Sequence, residues 1–234
     1  MINNLSNKTI ARAAGLLYLV YIVSTILTDA FGCPSLVVAG DAAATAASIT
    51  AHAGQFRAGF IGELVSAVLF FFTAWVLYAL LSRVDKTIAL LFLLLNLGGV
   101  AVQSAAALNL WAAQLLLSGA GYLGAFQPEQ LQALALASLG LQKDGFWICQ
   151  IFYSAWLFPL GYLVFKSGFL PKILGIILMV HCFAWLLTFL QYFLFPGLAA
   201  ITYVTYPLGF ITEFGLSLWL LIMGAKDVPA VAAG

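Results

Sequence analysis

Long apolar runs separated by short polar breaks run the length of this chain, and the length of each run is the first thing it reports. An apolar stretch of about 18 residues or more with few charges can cross about 30 Å of hydrocarbon as a helix. Six stretches qualify: residues 10–28, 56–81, 88–108, 146–165, 169–190 and 203–223. The third run stays apolar as far as Leu117. As one helix it would extend about 45 Å at a rise of about 1.5 Å per residue, so its far end is expected to leave the bilayer.

The breaks differ on the two sides. "SRVDK" joins the second and third runs, and "KSGFLPK" joins the fourth and fifth, with Pro171 placed to start a helix. Such short links force antiparallel neighbours. Residues 31–55 and 110–145 are long for loops, and loops of that length usually carry structure or function. Asp41 is a good N-cap before the alanine-rich "AAATAASITA". In the second loop, Pro128 and Glu129 suit a helix start, and Leu131, Leu134 and Ala135 follow at helical spacing. Residues 127–140 are therefore expected to form a short helix at the interface, folded over the mouth of the bundle. The fold class expected is all-α: a single membrane domain of six transmembrane helices, with short helices in the two long extracytoplasmic loops.

Composition agrees. The chain is 64% hydrophobic and 7% charged, whereas soluble domains carry about 25% charged residues. Its partner is the lipid bilayer. No basic run interleaved with aromatics points to nucleic acid. Lys8, Arg12, Arg83, Lys86, Lys166, Lys172 and Lys226 fall on one side of the runs, and only Arg57 and Lys143 on the other. The positive-inside rule then places both termini in the cytoplasm, with the chain in the cytoplasmic membrane. The first run is expected to be a retained helix: its apolar core is long for a secretion signal, and Phe31 in "AFGC" is bulky where a processing site needs a small residue. The three cysteines do not have metal-site spacing. Cys149 and Cys182 are expected to be buried, and Cys33 to lie in a loop.

The candidate chemistry lies in polar residues inside the runs. Glu63 is about 9 Å along its helix from Arg57, and Glu213 about 15 Å from Tyr203. Both helices start on the outer side, so both acids fall in the outer half of the membrane. Asn96 and Gln103 share one face of the third helix. Gln150 and Tyr153 lie on the fourth, Tyr18 and Tyr21 on the first, and His181 is near the middle of the fifth. Thr202, Tyr206, Gly209, Glu213 and Ser217 make a stripe on the sixth helix, as do Gly59, Glu63 and Ser66 on the second. A charge at mid-membrane costs at least about 2.5–3.5 kcal/mol on insertion scales, so such groups face the interior and find partners. The expectation is one polar pocket in the outer half, in which Glu63 and Glu213 share a proton or Arg57 pairs with one of them. The competing reading is interhelical hydrogen bonding, about 0.6 kcal/mol per bond. It suits Asn96, Gln103, Gln150 and His181 better than it suits the acids, because such bonding does not require a carboxylate.

Known catalytic patterns are absent: the sequence has no HExxH, GxSxG or CxxC. No cofactor or metal is expected. His52 is predicted outside the bilayer and His181 within it, which excludes a bis-histidine haem.

The blocks "WLFPLGYLVFKSGFLPKILGIIL" and "ITEFGLSLWLLIMGAKD" carry a family resemblance, as do "ARAAGLLYLVYIV" and "QFRAGFIGELVSAVLFFFTAWVLYALL". The chain resembles a bacterial family of multi-pass membrane proteins known as domain of unknown function 4386. That resemblance covers nearly the whole chain and is most specific at GYL–x₃–SGFLP–x–ILG. It implies six helices and acidic residues at the positions of Glu63 and Glu213, and no activity, substrate or cofactor. The leading functional expectation is binding, or transport, of a small-molecule ligand or proton through an outward-facing polar pocket. The alternatives are a membrane-embedded enzyme acting on a lipid-like substrate, with Glu63, Glu213 and His181 as acid–base groups or metal ligands, and a structural or accessory subunit.

Overall fold

The computed structural model describes residues 5–226. Eight α-helices follow one another: α1 (Asn7–Phe31), α2 (Ala42–Ala51), α3 (Ala53–Leu81), α4 (Lys86–Leu116), α5 (Pro128–Ala155), α6 (Leu157–Lys166), α7 (Lys172–Leu194) and α8 (Thr202–Ile222). Short 3₁₀ turns occupy Cys33–Leu36, Gly121–Ala125 and Pro196–Ile201. The described residues contain no strand. Six segments are long and apolar enough to cross a membrane: Asn7–Leu36, Ala53–Leu81, Lys86–Leu116, Pro128–Lys166, Lys172–Leu194 and Pro196–Ile222. The chain is a multi-pass membrane protein, and all six apolar runs of the sequence are found in these segments.

The short helix expected at 127–140 is corrected. Pro128 and Glu129 do open a helix, but it continues through the polar Gln142, Lys143 and Asp144 as far as Ala155. Those residues interrupt the apolar pattern without breaking backbone hydrogen bonding, and no proline follows Pro128 until Pro159. Pro159 lacks the N–H that would bond to the carbonyl of Ala155. The break between α5 and α6 falls there, at Trp156, whose own carbonyl still accepts from the Leu160 N–H at 3.2 Å. Asp41 caps α2 as its sequence position suggests, its Oδ1 accepting from the Ala44 N–H at 2.9 Å.

The described chain divides into two compact units. The first holds the residues up to Ile22, Leu69–Val100 and those from Cys149 onward; the second holds Val23–Val68 and Ala101–Ile148. In the first unit, α6 and α7 form a tight hairpin. A Cβ on Gly161 would lie 2.7 Å from the Gly175 carbonyl oxygen, and one on Gly175 would lie 2.5 Å from that of Gly161. The two backbones touch where only glycine fits. Between them Gly168 takes φ +70°, and Pro171 precedes the first residue of α7.

The second unit is built around Cys33, Leu36, Ile49, Phe56, Leu110, Ala113, Ala135 and Leu139. Cys33 lies in the connection between α1 and α2, as expected of a loop residue, and is part of this core. It is 2% exposed, and its thiol donates to the Phe56 carbonyl at 3.1 Å. Cys149 and Cys182 are buried, as expected.

The glycine contacts predict opposite outcomes at similar-looking positions. Gly175→Ala should lower thermal stability in detergent by about 1–3 kcal/mol, because the added methyl meets backbone that cannot move aside. Gly140→Ala, in open space on α5, should raise it by about 0.5–1 kcal/mol through helix propensity. Equal effects of the two substitutions, followed by circular dichroism, would contradict this packing.

Candidate functional site

In the second unit, α1 and α3 run together along a face of small and polar residues. Ser24 and Ser66 share a hydroxyl–hydroxyl bond of 2.8 Å. A Cβ on Gly62 would lie 2.7 Å from Thr28 Oγ1, and one on Gly59 2.5 Å from the Cys33 amide nitrogen. This close approach sets Thr25, Thr28 and Asp29 of α1 beside the Gly59–Glu63–Ser66 stripe of α3. The stripe is placed as its spacing indicates, with Ser66 2% exposed.

Glu63 takes its hydrogen bonds from α5. The Gln142 amide donates from Nε2 to Oε1 at 3.0 Å and to Oε2 at 3.2 Å. Around this pair is a cavity of about 130 Å³, lined also by Thr25, Thr28, Asp29, Ser66, Gln103 and Lys143. Glu63 and Gln103 are thus brought into one site. Arg57, on the same helix as Glu63, is exposed and forms no ion pair among the described residues.

Glu213 has a different set of neighbours, within the first unit. The hydroxyl of Tyr18, a fully buried side chain, donates to Oε2 at 2.9 Å. The other oxygen, Oε1, lies 3.9 Å from His181 Nδ1. That is too long for a hydrogen bond. His181 is fully buried and neither ring nitrogen has a partner. A Cβ on Gly209 would lie 2.8 Å from His181 Nε2, so glycine at this position makes room for the imidazole.

The expected stripe on α8 is rotated from its sequence prediction. Thr188 Oγ1 donates to Thr205 Oγ1 at 2.8 Å, which turns Thr205, Gly209, Thr212 and Ser217 inward. Tyr206 is 45% exposed and packs instead against Trp185, with ring centroids 5.7 Å apart.

Two further amides are buried in the first unit. Asn96 is fully buried with neither side-chain atom hydrogen-bonded. Gln150 is 7% exposed, and its backbone carbonyl accepts from Ser154 Oγ at 2.6 Å. The residues that sequence reading did not single out are Gln142, Asp29 and Thr28. Gln142 lay in a presumed loop. Asp29 and Thr28 continue the face of Thr25 at i+3 and i+4, a signal present in the sequence. Among the described residues, no group of three His, Cys, Asp or Glu side chains is placed to hold a metal ion.

These environments separate structural from spare polar groups. Tyr18→Phe removes a buried donor to Glu213 and should destabilise by about 1–3 kcal/mol. Asn96→Leu replaces an amide without partners by an apolar group of similar size, and should leave the melting temperature in detergent unchanged or raised. A neutral Tyr18→Phe together with a strongly destabilising Asn96→Leu would contradict these assignments.

The segments that carry the sequence resemblance fall on α1, on α3, on the α6–α7 hairpin with its two touching glycines, and on the second half of α8. No curated protein and no solved structure matches the chain. A family model does match, over residues 13–224, and the chain belongs to that family, the domain of unknown function (DUF4386).

Proposed function

We propose that this multi-pass membrane protein binds a small polar ligand or a proton at the Glu63 cavity, as the ligand site of a carrier. The observation that carries this reading is that the Glu63 carboxylate borders a cavity and is not enclosed by packed side chains. An acid kept only to hold helices together would be surrounded. A small-molecule site is usually a mostly apolar cavity with a few convergent polar groups, and Glu63, Gln142, Gln103 and Ser66 supply such groups here.

The distribution of Lys and Arg supports a cytoplasmic location for both termini, in a cytoplasmic membrane. The connections between α1 and α3 and between α4 and α5 then lie toward the outside. Cys33 and Pro34, in the first of these connections, line the cavity, which supports an opening toward the extracytoplasmic side.

A second reading has its own support. His181 with two unpartnered nitrogens, beside Glu213 and Tyr18, has the composition of an acid–base site, and such a site would suit a membrane-embedded enzyme acting on a lipid-like substrate.

The first reading is tested by thermal unfolding in phosphatidylcholine nanodiscs against a panel of small cations, neutral polar molecules and anions. A ligand at about 100 times its Kd stabilises by about 2.7 kcal/mol. Glu63→Gln, which keeps shape, should melt like the wild type without ligand and lose that stabilisation. If no compound class separates the wild type from Glu63→Gln, the cavity is not a ligand site.

A further inference from the structure

The polar cavity at Glu63 does not end at Glu63. A second cavity of about 570 Å³ shares Cys33, Pro34, Glu63, Gln142, Lys143 and Phe146 with it. Away from those shared residues the two linings differ sharply. The smaller chamber continues into Thr25, Thr28, Asp29, Ser66 and Gln103. The larger continues into Val37, Leu110, Leu136, Leu139 and Trp147. Side chains bearing hydroxyl, carboxyl and amide groups on one side, and aliphatic and aromatic ones on the other, thus meet at one carboxylate, entirely within the second unit.

We infer that this compound site takes a single-chain amphiphile with a protonated amine head, the head at Glu63 and the chain along the Leu136–Leu139–Trp147 wall. The inference rests on the ligand-site reading above and names its ligand class. Each part of the shape limits the occupant. The polar chamber, about 130 Å³, is near the size of a cavity of about 150 Å³ that holds benzene, so it accepts a small head and no sugar or large phosphoester. The trough, at about 570 Å³, lies within the range of about 300–1,000 Å³ that encloses one drug-sized molecule. That suits one alkyl chain better than two.

Charge selects the head. The lining carries two carboxylates, Asp29 and Glu63, against one ammonium, Lys143. An ionised carboxylate offers about four acceptor positions. Gln142 fills one on each oxygen of Glu63, which leaves acceptors for the N–H groups of an ammonium. Phe146 borders both cavities. An anionic head would meet the acceptor oxygens of Glu63 and Asp29 and find a single cation, Lys143, in the lining. The chemistry, an ammonium on an apolar chain, is shared by free long-chain amines and by amine-headed membrane lipids, and the single trough commits the site to the free amine.

The test is photolabelling of the full-length protein in phosphatidylcholine nanodiscs with a twelve-carbon primary amine bearing a terminal diazirine. The matched alcohol and sulfate serve as controls, and labelled positions are mapped by mass spectrometry. The amine should label the 136–147 segment at least tenfold more than the sulfate does. Glu63→Gln should reduce amine labelling about tenfold, and Leu139→Trp, which fills the trough, should abolish it. Unlabelled dodecylamine should compete, and methylamine should not.

Equal labelling by amine, alcohol and sulfate, insensitive to Glu63→Gln, would mean that the trough holds bulk lipid tails, and would overturn the inference. Displacement of the probe by phosphatidylethanolamine nanodiscs would overturn the single-chain commitment. Equal competition by methylamine and dodecylamine would overturn the amphiphile while leaving a polar-ligand site at Glu63 intact. If Glu63→Gln also matches the wild type in the thermal-shift panel, the ligand-site reading falls as well.

Discussion

A carboxylate on a membrane-spanning helix needs hydrogen-bond donors from the protein itself, because hydrocarbon supplies none. For Glu63 that donor is the Gln142 amide, which reaches both oxygens from α5. The bond requires α5 to continue as helix through a polar stretch that looks like the end of an apolar run. It also requires α1 to come close on the other side, which Gly59 and Gly62 permit. The cavity is what remains between these elements once both demands are met. Glu213 meets the same constraint in the first unit with a different donor, the hydroxyl of buried Tyr18.

Glycine sets the backbone distances that make such pairings possible. The most specific block of family sequence coincides with the α6–α7 hairpin, and its form follows from physical need. Gly161 and Gly175 let two helices touch, Gly168 supplies the positive φ of the turn, and Pro171 starts the next helix. The block is thus accounted for by packing. Function has to be sought elsewhere, at polar groups that no packing rule requires.

How much of this was legible in the sequence depended on whether the property is local. The six spans were readable because hydropathic length belongs to a single segment. So was the Gly59–Glu63–Ser66 face, since three residues on one helix fix it. The Glu63–Gln142 pair was not, because its members are 79 positions apart and Gln142 sat among residues that read as a loop. Tyr18 was visible as a polar residue in an apolar run, but not as the donor to a side chain 195 positions away. The stripe on α8 was right at Gly209 and Ser217 but rotated toward Thr205 and Thr212 and away from Tyr206, because a Thr188–Thr205 bond between neighbouring helices helps decide which side of α8 faces inward. Cys33 lies in the loop that its place after an apolar run indicates, but its burial was not legible, because that loop folds back as a turn into a core.

The central claim is that Glu63 borders an open, cation-preferring cavity. It is tested most directly by thiol accessibility at Thr28, a partly exposed residue of α1 in the same lining. In a background with Cys33, Cys149 and Cys182 replaced by alanine, Thr28→Cys is exposed to a cationic methanethiosulfonate and, separately, to its anionic counterpart. The account predicts modification from the extracytoplasmic side, several-fold faster with the cationic reagent, and loss of that preference when Glu63→Gln is added. No modification by either reagent, or an equal rate with both that Glu63→Gln leaves unchanged, would contradict it.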